Sequence, residues 1–284
     1  MHNDFLTIGP LTFHMYGLMS AIGIIAAYLY AEHRAKKDGL DTDGIIYFVI
    51  VCVVSGYIGS KILYFITILP ELIEDSSVII SSLSGGWVVY GGILGGMLGG
   101  GLYCRKKKWP HWKYFDMGLT CMALAQGFGR IGCFFAGCCY GVRAHGAFSV
   151  TFIDSAFAPN GIPLVPTQIA SSIFDFLLFF FLVLYHQHRK NSDGEVTGLY
   201  LIFYSLGRFC IEFLRGDLIR GTVGPLSTSQ FIAIFTFAGG AAVFARRLKY
   251  NKTHRAADAD ESMENADPQT EDADAAAEKE KEIQ

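Results

Sequence analysis

Two arginines stand inside apolar sequence: Arg130 in "GRIGCFFAGCCYG", which runs from Gly129 to Gly141, and Arg208 in "GRFCIEFLRGD". A charged guanidinium is expensive in such surroundings, so each needs an anion. Glu212 and Arg215 follow Arg208 at i+4 and i+7, the spacing of one helical face. Glu212 can therefore pair with Arg208, and the plain reading is an ion pair that fastens two helices. Two arginines against one nearby glutamate leave positive charge over. The planar fork of arginine binds two oxygens of a phosphate at once. The chemistry suggested is oxyanion binding, and in a bilayer the abundant anion is a phospholipid headgroup.

Other residues compete for a role. Cys133, Cys138 and Cys139 share the stretch that holds Arg130. Their C-x4-C-C spacing is not a standard zinc pattern and no histidine group completes it. Apolar filler, a disulfide, and metal or redox chemistry stay open. Cys52, Cys104, Cys121 and Cys210 are scattered and read as small apolar residues. Tyr90 sits between glycine pairs in "GGWVVYGGILGGMLGGG". It either faces a docking ligand or belongs to an interfacial aromatic belt. Gly91, Gly95 and Gly99 recur every four residues, as do Gly92, Gly96 and Gly100, a spacing that lets helices approach closely in lipid. A helix starting near the first glycines would also offer backbone N–H groups to an anion. His14 and Tyr16 open the first apolar run, and Gln168 opens the fifth just after Pro166, a helix-start signature. Lys61 can snorkel along its stem. Asp175 lies deeper than an interfacial residue should, as a functional candidate or a partner for Lys61.

These residues must be held by membrane-spanning elements. Of the 284 residues, 51% are hydrophobic and 17% charged, a balance poor in charge for a water-soluble domain. Seven apolar runs approach the roughly 20 residues that a helix needs to cross a bilayer: about 14–31, 45–69, 86–104, 115–134, 168–186, 197–214 and 229–245. The fold expected is an all-α integral membrane protein of about seven transmembrane helices. No cleavable signal peptide is expected, since no basic cluster precedes the first run. The segments after runs one, three, five and seven hold 15 of the 23 basic residues, while the opposite side holds Arg143, Arg215 and Arg220. Basic loops mark the cytoplasmic side, so the N-terminus is expected outside and the C-terminus in the cytoplasm. The stretch from Ala256 to Gln284 holds eleven of the 26 acids and two basic residues. Without it the rest of the chain is basic by six. The division expected is a polytopic membrane domain over 1–250 and an acidic, disordered cytoplasmic tail over 251–284.

Four motifs, "IGPLTFHMYGLM", "GGWVVYGGILGG", "GRIGCFFAGCCYG" and "GRFCIEFLRGD", resemble in order and spacing those of the bacterial phosphatidylglycerol–prolipoprotein diacylglyceryl transferases. The resemblance covers about Ile8 to Arg247. It implies transfer of a diacylglyceryl group from phosphatidylglycerol to the lipobox cysteine thiol of a prolipoprotein. The product is a thioether, and glycerol phosphate leaves. The resemblance gives Arg130 the signature arginine that binds the headgroup, Arg208 the second essential arginine, and Glu212 the acid that follows it. Tyr16, Gly91, Gly92 and Gly141 match motif positions and are substrate-binding candidates. Tyr90 stands where the family carries a histidine, the usual base candidate, so Tyr90, Arg130 and Arg208 are the catalytic candidates. Cys133 and Ala136 stand where the family pattern has asparagines, and Cys138 where it has glutamate. Val165-Pro166-Thr167-Gln168 replaces His-Pro-Ser-Gln.

The partners implied are phosphatidylglycerol, prolipoprotein signal peptides and the membrane itself. Neither a cofactor, a metal nor a nucleic acid is expected, and the chain is expected to act as a monomer. Its place is the bacterial cytoplasmic membrane, multi-pass, with the active site toward the outer face. The competing readings are a divergent paralogue that binds anionic phospholipid with thiol-based or no chemistry, and an anion transporter or scaffold. The absence of an inverted repeat between the halves weighs against the transporter.

Overall fold

Seven of the helices are long, and glycine, β-branched residues and leucine fill them. The structure, a computed structural model, describes residues 4–8, 11–74, 82, 85–146, 148–188, 193–217 and 222–264. A short antiparallel hairpin, β1 (Asp4–Ile8) with β2 (Leu11–His14), leads directly into α1 (Met15–Lys37). Then come α2 (Ile45–Thr67), the short α3 (Leu69–Glu74), α4 (Val89–Lys107) and α5 (His111–Ala136). The loop after α5 carries β3 (Val150–Thr151) paired with β4 (Pro163–Leu164), and α6 (Thr167–His188) and α7 (Glu195–Glu212) follow. A last hairpin, β5 (Thr222–Val223) with β6 (Leu226–Ser227), opens into α8 (Thr228–Glu264). The α8 helix thus passes the boundary drawn at 251 from composition; residues 265–284 of the tail lie outside the described residues, as does Arg220.

All seven apolar runs fall on helices. Five of these helices, α1, α2, α5, α6 and α8, are long and apolar enough to cross a membrane. The other two fall short for separable reasons. Glycine and three terminal basic residues, Arg105, Lys106 and Lys107, dilute α4. Three charged residues, Glu195, Arg208 and Glu212, interrupt α7. Large apolar side chains such as Ile25, Leu29, Ile62, Leu98, Leu177 and Phe235 are exposed around the outside of the bundle. That is a surface suited to lipid and too apolar for water.

The helices pack in neighbouring pairs: α2 on α4, α1 and α6 on α5, and α8 on α7. Glycine sets the first contact. A Cβ on Gly95 would lie 2.5 Å from the Ser55 carbonyl oxygen and 3.0 Å from Gly59 Cα, so the two backbones touch. The four-residue glycine repeat is therefore a helix-packing device, as its spacing allowed.

One end of the bundle is fastened by a carboxylate. Asp116, near the start of α5, is 1% exposed. Its oxygens accept from the Gly194 N–H (2.6 Å), the Thr197 N–H (2.7 Å) and the Thr197 hydroxyl (2.6 Å). It caps the first turn of α7 from a different helix and complements the positive end of that helix dipole. Glu195 is held at the same end by the Tyr185 hydroxyl (2.6 Å) and Asn251 Nδ2 (2.9 Å). The candidate site lies at the opposite end.

Candidate functional site

Arg130 lies near the C-terminal end of α5 and Arg208 near that of α7, so both reach the same end of the bundle. Their surroundings differ. Arg208 is held: Nη2 lies 2.7 Å from Glu212 Oε2 and donates to Ser229 Oγ at the start of α8 (3.1 Å). The contact with Glu212 is an ion pair by distance without hydrogen-bond alignment. Arg215 is also held, its fork gripping Asp217 through Nε to Oδ1 (2.8 Å) and Nη2 to Oδ2 (2.5 Å), with Glu212 Oε2 3.9 Å away. Arg130 is not held in this way. Its nearest carboxylate is Asp175 on α6, with Nε 4.0 Å from Oδ2, beyond hydrogen-bond distance. Its side chain is 14% exposed, and Tyr204, Cys133 and Cys139 surround it. Of the three arginines, Arg130 alone has no carboxylate within hydrogen-bond distance among the described residues; the Tyr204 hydroxyl lies beside it.

Several buried polar atoms make no hydrogen bond of good geometry among the described residues: Tyr90 Oη, Tyr204 Oη, Ser205 Oγ and Gln168 Oε1. Ser205 lies beside Tyr90, and Arg130 beside Tyr204. Tyr90 opens α4 and its ring meets Tyr204 edge-on, with centroids 6.2 Å apart. The Tyr90 hydroxyl lies in the field of Arg208 and Glu212. Each unpartnered buried polar group costs about 1–3 kcal/mol. Tyr90, Tyr204 and Ser205 are grouped, and a polar ligand there would offset that cost.

The loop from 137 to 142 is fixed against its neighbours. Gln168 Nε2 donates to the Cys138 carbonyl and Thr167 Oγ1 to the Cys139 carbonyl, both at 2.8 Å. The Gly141 N–H donates to the Val165 carbonyl (3.1 Å), and Gly141 pairs with Arg215 in an isolated bridge. A Cβ on Gly141 would lie 2.5 Å from that Val165 oxygen, so the crossing of three backbone segments requires glycine. Gly132 plays a similar part on α5, where the Tyr16 backbone lies 3.2 Å from its Cβ direction. That contact brings half-exposed Tyr16 beside Cys133 and Cys138.

A scan against protein families matches the prolipoprotein diacylglyceryl transferase model over residues 3–246. The chain belongs to this family. It is 49% identical over 229 residues to the phosphatidylglycerol–prolipoprotein diacylglyceryl transferase of Clostridium tetani, covering 81% of this chain and 91% of that protein. It is 45% identical over 243 residues to transferase 2 of Clostridium perfringens (85% and 94% covered), and 32% identical over 239 residues to that of Clostridioides difficile (84% and 92% covered).

Within this diacylglyceryl transferase family member, the structure brings Tyr90, Arg130, Arg208 and Glu212 to one place and sets other expected residues aside. Gly91 faces α2: a Cβ there would collide with the Gly59 carbonyl oxygen and Leu63 Cβ. Gly92 has room, its nearest neighbour being the Gly56 carbonyl oxygen at 3.6 Å. Asp175 turns to Arg130, not to Lys61. Lys61 instead donates to the carbonyls of Ser82 (2.8 Å) and Gly85 (2.5 Å) and lies 3.8 Å from the Trp87 ring centroid. Arg215 lies beyond the end of α7, so it does not share a continuous helical face with Arg208. The charge excess read from the sequence also shrinks, because Asp175 and Asp217 join Glu212 against three arginines. Net charge alone therefore does not mark this end of the bundle as an anion site. Sequence reasoning missed Tyr204, Ser205 and Ser229. Tyr204 had a signal, since Tyr200, Tyr204, Arg208 and Glu212 recur every four residues along α7.

Proposed function

We propose that this chain transfers the diacylglyceryl group of phosphatidylglycerol to the cysteine thiol of prolipoproteins, as its relatives are named for doing. The observation that carries the reading is Arg130, with no carboxylate at hydrogen-bond distance, beside the fixed Arg208 and close to the buried hydroxyls of Tyr90, Tyr204 and Ser205. Arg130 binds the headgroup phosphate. Arg208, oriented by Glu212 and Ser229, neutralises the charge that develops on the departing oxygens, a role preorganised donors fill best in a dry site. The thiol sulfur forms the new S–C bond as the C–O bond breaks, and glycerol phosphate leaves with the electron pair. The thiol proton must go to a base. Tyr90 stands where the family carries its base candidate and acts there through hydrogen bonding to the reacting groups. Tyr16, Gly92 and Gly141 complete the substrate surroundings.

The seven-span arrangement, with the N-terminus outside and this site toward the outer face of the bacterial cytoplasmic membrane, is supported by the helix ends. Basic residues stand in the last turns of α1 (Arg34, Lys36, Lys37) and α4 (Arg105, Lys106, Lys107), and none in those of α2, α5 or α7. Alternate crossings would give this pattern. In this reading residues 1–250 are the membrane domain of a monomer that binds no nucleic acid, and the acidic tail is cytoplasmic.

Complementation of a transferase-depleted bacterial strain is the test. Wild type restores lipidated precursor and Arg130→Ala does not. A well-expressed, membrane-inserted wild type that yields no lipidated precursor overturns the reading.

A further inference from the structure

Cys133, Cys138 and Cys139 converge. Their sulfur atoms all lie within 4.8 Å of one another, and none is in a disulfide. The spacing along the chain concealed this, because α5 ends between the first cysteine and the other two. Gly137 closes the helix in the left-handed conformation (φ 73°), which folds the chain back over its last turn. Cys139 is itself left-handed (φ 61°), a conformation unfavourable for a residue with a Cβ. The clasp from Thr167 and Gln168 holds both following carbonyls, so the conformation is built in.

We propose that these three thiols bind a thiophilic divalent cation, zinc, as thiolates. Three sulfurs at this separation can surround one ion at the usual Zn–S distance of about 2.3 Å after small side-chain rotations. The trio sits at the C-terminal end of α5, where the helix dipole favours a cation. Arg130 lies beside Cys133 and Cys139, and Arg215 beside Cys139. Three thiolates with one zinc carry a single net negative charge, which the two arginines complement.

No histidine or carboxylate joins the trio among the described residues. A zinc with three protein ligands keeps a fourth position for an outside donor, the pattern of reactive sites and not of closed structural ones. Resting on the transfer reading, the soft donor that reaches this end of the bundle is the prolipoprotein thiol.

The full chain, purified in mild detergent under reducing conditions and reconstituted with zinc, should retain about one zinc per chain through gel filtration. Cobalt in its place should give sulfur-to-metal charge-transfer absorption. The triple variant Cys133→Ser, Cys138→Ser, Cys139→Ser should lose both. Wild type that retains no zinc, or a triple variant that retains as much, overturns the inference. So does intact-mass detection of a disulfide within the trio in a chain that still refuses zinc after reduction. If the triple variant aggregates, the wild-type cobalt spectrum decides alone: no charge-transfer band, no site. Metal content is read without reference to activity. A metal-free chain that transfers lipid sinks the zinc site and keeps the transferase. A zinc-loaded chain that transfers nothing does the reverse.

Discussion

Tyr90 is the residue on which the candidate site turns, because its buried hydroxyl makes no hydrogen bond of good geometry among the described residues, with only Ser205 beside it as a side-chain hydroxyl that could pair. If the ring were only core, Tyr90→Phe would remove an unsatisfied polar atom and raise stability by about 1 kcal/mol with activity unchanged. The transferase reading predicts a different pairing: unchanged or higher melting temperature in detergent, with transfer reduced at least about tenfold, as expected for loss of a proton-handling group. Activity and thermal stability measured on one preparation separate the two, and full activity in Tyr90→Phe removes Tyr90 from the mechanism. Tyr90→His, which restores the imidazole of the family pattern, should support transfer. At this scale the arginines were legible in the sequence, because a charge in an apolar run announces itself without knowledge of its neighbours. The partnership of Arg130 with Asp175 was not. It depends on how α5 and α6 are rotated about their own axes, and the 44 residues of intervening chain do not encode that rotation in any local pattern.

The elements are positioned by close backbone approach, and glycine marks where. On α4, Gly95 meets the Ser55 oxygen and Gly59 of α2, whereas Gly239 on α8 has nothing within 4 Å of its Cβ direction. Gly95→Ala should therefore force α2 and α4 apart and destabilise the protein by about 1–3 kcal/mol, the usual cost of overpacking. Gly239→Ala should be neutral or slightly stabilising, since alanine has the better helix propensity. A lowered melting temperature for the first alone is the expected result; equal effects would mean that the glycine repeat does not set the contact. The repeat itself was visible in the sequence, and so was its consequence for packing. That α2 is the partner was not, because its own glycines, Gly56 and Gly59, form too short a pattern to stand out. The trans-cap by Asp116 was hidden for a similar reason: a carboxylate near the start of one helix carries no local sign that it serves the start of another.

Two ends of different character define the molecule as a whole. One gathers Asp116, Glu195, Asn251 and the basic helix ends; the other gathers Tyr90, Arg130, Arg208, Glu212 and the cysteine trio. A lipid headgroup and a secreted precursor meet at the outer face, so the second end must face outward for the proposed reaction to occur. The charge pattern leads to the same orientation by an independent route, since it counts loop residues and ignores the site. Reporter enzymes fused in frame test it directly. A reporter active only outside the cytoplasm should work when inserted after Asp154, in the loop between β3 and β4, and fail when joined after Lys108 or Asn251. A reporter active only in the cytoplasm should give the opposite pattern. Activity on the same side for the insertions after Asp154 and Lys108 would mean that α5 does not cross the bilayer. A fully reversed pattern would place Arg130 on the cytoplasmic side, where no precursor awaiting lipidation at the outer surface could reach it.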